Sequence, residues 1–138
     1  MEVGDPARTA LQARCDAIED SYEFMLAYAA KGLPHDPSGA DSGNIRDALR
    51  RCETAIAGLA DFMRGYVDRL GLEPADDYRA FIDVLDRDAV AAVAALRLVL
   101  AQSGLSSQLV DNLNASIHVR TLLTDLFLID EVLKQRSR

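Results

Sequence analysis

The sequence predicts an all-α chain, an up-down-up-down antiparallel four-helix bundle formed as one domain over residues 1–138. Three observations point there. Apolar side chains recur at alternating steps of three and four along four separate stretches, the spacing that lines one face of an α-helix. Glycine, proline, serine and aspartate gather between those stretches, where they interrupt regular structure. Aromatic residues make up only 6% of the chain and tryptophan is absent, so the core must be built from Leu, Ala, Val and Ile, the stock of a helix bundle.

The first helix is expected over residues 6–31. Asp5-Pro6 starts it, an N-cap acid followed by a proline whose missing N–H is harmless in the first turn. Leu11, Cys15, Ile18, Tyr22, Met25 and Ala29 carry its apolar face, and Gly32 and Pro34 end it. Leu33 to Gly43 has two prolines, two glycines and no periodicity, and is expected to be the longest and most mobile loop. A second helix over 44–70, capped by Ser42 or Asn44, follows with Ile45, Leu49, Cys52, Ile56, Leu59, Met63, Tyr66 and Leu70 on one seam. Gly71 closes it.

Asp76 is the expected cap of a third helix over 76–102, with Tyr78, Ile82, Leu85, Ala89, Ala92, Leu96 and Val99 facing inward. Its alanine-rich middle is thin and lets neighbours approach closely. Ser103-Gly104 breaks the pattern, Ser106 or Ser107 caps again, and the fourth helix is expected over 106–134. Three short or moderate connections between four long helices favour antiparallel neighbours.

Composition excludes several functions. A net charge of −7 and a pI of 4.7 argue against a nucleic-acid or anionic-membrane surface, both of which need a basic face. Lys134, Arg136 and Arg138 complement the dipole of the last helix. No apolar run reaches the ~18 residues of a spanning helix, and no leader pattern opens the chain. With Cys15 and Cys52 both on apolar stripes, the expectation is a cytoplasmic, reduced protein.

Arg120 is the one charge placed where a single fourth helix would bury it, among Leu109, Leu113, Ile117, Leu123 and Phe127. A buried cation demands a partner. Counting heights along antiparallel neighbours brings Glu19 and Asp88 level with it, so the expectation is a mid-bundle cluster of Arg120 with Asp88, Glu19 or both, extended by Tyr22, Ser116 and Thr124. Such a cluster fixes register, or receives a carboxylate or phosphate.

Ser107, Asp111, Asn114, His118, Thr121 and Asp125 form a polar stripe on the same helix. It reads as a solvent face, with Asn114, His118 and Asp125 as the alternative contacts to a ligand or metal. Only two histidines occur, and no Glu-x-x-His pair, His-Glu-x-x-His, Cys-x-x-Cys or phosphate-binding glycine loop is present, so neither metal nor cofactor is expected. A lone histidine on a bundle also admits phosphotransfer through His118, although the bulky Leu122 one turn later crowds it.

The end of the fourth helix is apolar over most of its circumference. That excess predicts a homodimer through the region of Leu122, Leu126, Ile129 and Leu133. The expected function is noncatalytic association, as an adaptor, accessory or regulatory subunit. The alternative is a small-molecule- or anion-binding bundle centred on Arg120.

Overall fold

A computed structural model describes residues 5–37 and 43–136. The expected cap Ser42 lies outside them. The helices are α1 (Pro6–Ala29), α2 (Gly43–Ile56), α3 (Leu59–Leu70), α4 (Ala75–Leu100), α5 (Ser107–Ala115) and α6 (His118–Arg136). Among the described residues there is no strand, and the regular structure they form is all-helical.

The caps follow from local chemistry. Asp5 holds the extended N-cap conformation and accepts from Ala7 N at 3.0 Å, with Pro6 opening the helix. Gly71 sits at φ 62° and its N–H returns to the Val67 and Asp68 carbonyls, ending α3. Ser106 accepts from Leu109 N at 3.0 Å and caps α5. Asp76 is not the cap of α4: Pro74 takes that position, and Asp76 and Asp77 lie in the first turn, where carboxylates favour the positive helix end.

Two of the expected helices are each interrupted. Residues 44–70 divide into α2 and α3 at Gly58, which is left-handed at φ 70°. The apolar phase survives that break: Ile56, Leu59 and Met63 are all buried, so periodicity carried no sign of it. Arg14 of α1 completes the joint, donating to the Ala55 carbonyl at 3.0 Å and the Ala57 carbonyl at 2.7 Å. These are carbonyls that the end of α2 leaves without an N–H partner. The same guanidinium stands 5.3 Å over the Phe62 ring of α3.

Residues 106–134 divide into α5 and α6 at Ile117, a β-branched residue held at φ 62°. Ser116 N closes α5 on Asn112 O and Leu113 O, and Ile117 O accepts from Thr121 N at 2.7 Å to begin α6. The Ile117 side chain is 56% exposed.

α1 packs on α2, α5 and α6, and α4 on α2, α3, α5 and α6. Cross-ties give the directions. Arg14 near the start of α1 meets the end of α2, Asn114 donates to Met25 O near the end of α1, and Arg8 pairs with Asp130 of α6. Arg64 with Asp83 and Arg79 with Asp68 set α3 antiparallel to α4. The core between them holds most of the expected stripes, with Leu11, Ile18 and Met25 of α1 and Ile82, Leu85 and Leu96 of α4 fully buried, whereas Leu70, expected on the second seam, is exposed and Tyr22 and Ala29 are half-buried. Among the described residues, no helix is long and apolar enough to cross a membrane.

The loop after α1, expected to be mobile, is pinned over its described part. Ser107 is buried, donates from Oγ to Tyr28 O at 2.7 Å and accepts from Leu33 N at 2.9 Å, while its own N–H reaches Leu33 O. Tyr28 donates its hydroxyl to Leu105 O at 2.6 Å. Asp36 accepts from Leu105 N at 2.7 Å and from Arg46 Nε at 2.9 Å. Arg46 then spans the end of α4, donating to the Leu100, Gln102 and Ser103 carbonyls.

Candidate functional site

The Arg120 layer does not form. Arg120 is exposed, and among the described residues no carboxylate lies within salt-bridge reach of it. The cause is Ile117: one left-handed residue resets the helix phase, so a stripe extrapolated from Leu109 and Leu113 no longer says where Arg120 points. Its carbonyl accepts from Thr124 Oγ1 at 2.9 Å, an ordinary within-helix contact.

The other expected site residues scatter. Glu19 and Tyr22 are half-buried on α1, with Tyr22 packed against the core. His118 is exposed at the start of α6, and Asn114 is half-buried and donates to Met25 O at 3.2 Å. Asn114 and His118 stand on opposite sides of the Ile117 break, so they share no continuous helix face. Among the described residues, no group of three or more His, Cys, Asp or Glu is placed to hold a metal ion.

Asp88 does find a partner, and it is Asp125. The two half-buried carboxyls meet across the packed faces of α4 and α6. Burial, a hydrogen bond to the Asp88 carboxyl and the Asp88 charge together push the Asp125 carboxyl up to about 7. Its Oδ2 is shut away from solvent and has no donor. A carboxylate can only accept, so a donor at this contact would have to be a proton carried by one of the two acids. The polar stripe assigned Asp125 to solvent, and only the tertiary pairing of α4 with α6 reveals its burial.

Leu122, Leu126, Ile129 and Leu133, expected at a dimer interface, are buried in the chain's own core. The apolar excess reaches the surface one position away. Phe127 is 48% and Leu128 55% exposed on the outer side of α6. A second surface feature is a groove of about 780 Å³ between the α2–α3 joint and α4, with Val90, Val93 and Ala94 on one wall and Thr54 and Arg97 among its polar lining. Glu53, Asp61 and Asp86 edge it. Arg97 pairs with Glu53, and Arg64 with Asp61, Asp83 and Asp86.

Cys15 and Cys52 are free and buried. Burial, with the Asp130 charge next in weight, pushes the Cys15 thiol up to about 11, and burial alone pushes Cys52 up to about 12. Neither supplies a thiolate nucleophile near neutrality.

No protein-family model matches the chain, and no solved structure matches it. A 69-residue stretch is 38% identical to part of the soluble hydrogenase, small subunit, of Synechococcus sp. (strain PCC 6716). The similar stretch is 49% of this chain but 16% of that protein, so the likeness spans a small part of the relative's length.

Proposed function

We propose that this chain is a noncatalytic helical module, its six helices forming four antiparallel rods of one bundle, and that it acts by association as an accessory or regulatory subunit. The observation that carries this reading is the adjacent, exposed Phe127 and Leu128 on α6, since neighbouring large apolar side chains on a surface mark contact sites. The relative's name describes a small subunit, which accords with a role in assembly. Free, buried thiols suit a reducing cytoplasm.

The partner in this reading is a second copy. Arg120 and Lys134 stand seven residues before and after Phe127, on the same side of the helix. Two α6 helices paired about Phe127 would set these cations against each other. The α6 edge therefore suits the groove beside α4, where the carboxylates of Glu53, Asp61, Asp83 and Asp86 outnumber the Arg97 and Arg64 guanidiniums that pair with them and leave net opposite charge. A two-fold dimer uses that contact twice.

Size-exclusion chromatography with light scattering tests the pairing. Phe127→Glu with Leu128→Glu in one variant, and Val90→Glu in another, should each give a monomer. Mixing them leaves one of the two contacts intact and should restore a weak dimer. Variants as dimeric as the parent, or monomers that ignore each other, would contradict this pairing.

A further inference from the structure

We propose that the Asp88–Asp125 carboxyl pair is a proton-held latch between α4 and α6: one shared proton fastens α6, and its loss loosens α6 about the Ile117 break. The latch is independent of whatever covers the outer face of α6.

Geometry carries this. Asp125 comes two turns after α6 begins at His118. Its Oδ2 is buried and lacks a donor, and the group facing it is another acid. With the proton present, the pair is a hydrogen bond across the seam. With it gone, two carboxylates face each other in a partly desolvated place, and no cation among the described residues acts on Asp125 to offset them.

The charged groups of the packed elements are occupied elsewhere. From α1, Arg8 pairs with Asp130, and Arg14 turns to the Ala55 and Ala57 carbonyls. Cys15 of α1 feels Asp130, Asp16 and Glu19. From α4 the facing group is Asp88, with Arg87 beside it in sequence but exposed. From α5, Asp111 is exposed, and within α6 Lys134 is tied to Asp130 at 3.1 Å.

The joint that such motion needs is already present. Ile117 is held left-handed with its side chain in solvent, a conformation that costs a β-branched residue free energy and is relieved when α6 shifts. The sign follows from linkage. In a loosened α6 Asp125 titrates near the ordinary carboxyl value of about 3.9, so the latched form binds more protons between that value and about 7. Fastening is therefore complete at acid pH and is lost as pH rises through neutrality.

Hydrogen exchange read by NMR on the intact chain, with the carboxyl ¹³C signal of Asp125 followed alongside, tests the latch between pH 5.5 and 8. After correction for intrinsic exchange, protection over 118–136 should fall by about tenfold for each pH unit up to the Asp125 midpoint, the slope of one proton, and level off above it, while α1 and α2 hold. Asp125→Asn and Asp88→Asn each let an amide donate to the remaining carboxylate, so either variant should flatten the profile. If one fails to fold, the other carries the comparison. An Asp125 that titrates near 4, a flat wild-type profile, or an unchanged slope in the folded variants would overturn the proposal.

Discussion

The Asp36 carboxylate holds the Arg46 guanidinium at 2.9 Å through Oδ2 while its Oδ1 accepts from Leu105 N at 2.7 Å. One side chain thereby joins the start of α2, the loop after α1 and the loop after α4. Arg46 adds three carbonyls at the end of α4, where a cation also complements the helix dipole.

Arg46→Met should lower stability by about 1–3 kcal/mol, the range for charge-assisted hydrogen bonds with little solvent at hand. The effect depends on pH. Hydrogen bonds from Arg46 and then from Leu105 N hold the Asp36 carboxyl below its ordinary value, so its stabilisation is present above about pH 4 and is lost as pH falls through the folded value. Urea melts of wild type and variant should therefore converge in acid, and a gap that widens there would refute the pairing.

Ile117→Gly should stabilise the chain, by about 0.5–1 kcal/mol. Glycine adopts the left-handed conformation without a Cβ penalty, offset in part by its larger unfolded entropy. The lost side chain is exposed and contributes little packing. A destabilised glycine variant in thermal melts would mean that the positive φ is not what the folded chain holds.

How much of this was legible in the sequence depended on whether phase was preserved. The helical class, the Asp5-Pro6 start, the Gly71 stop and the buried faces of α1 to α4 follow from local spacing and capping chemistry. Gly58 broke a helix without shifting its stripe, so the core residues around it were readable although the break was not. Ile117 broke a helix and did shift the stripe, and β-branched residues give no hint of a left-handed turn. Spacing alone therefore puts Arg120 in the core, where the structure has it in solvent, and Asp125 on the solvent face, where the structure has it half-buried. Asp36–Arg46 and Arg14 with the end of α2 join residues 10 and 41 or more apart, beyond what helical periodicity reports.

Tyr28→Phe and Ser107→Ala should each cost about 1–2 kcal/mol, because each leaves a carbonyl without its donor. Tyr28 serves Leu105 O, and Ser107 serves Tyr28 O while accepting from Leu33 N. The double variant should lose less or more than the sum, since the two share one network. Strict additivity in denaturant melts would show them acting separately.

Both cysteines should resist modification in the folded chain. Burial and thiols held far above neutrality leave almost no accessible thiolate at pH 7.5. A disulfide reagent should react with neither until denaturant is added and then with both. Rapid labelling of Cys52 in native buffer would contradict its place in the core.

Sedimentation equilibrium at micromolar concentrations tests the association reading most directly. Wild type should approach twice the 15.1 kDa chain mass as concentration rises, and the variant carrying Phe127→Glu and Leu128→Glu should stay at one chain mass. A wild-type chain that sediments only as the 15.1 kDa species would contradict the account of α6 as the surface through which this protein works.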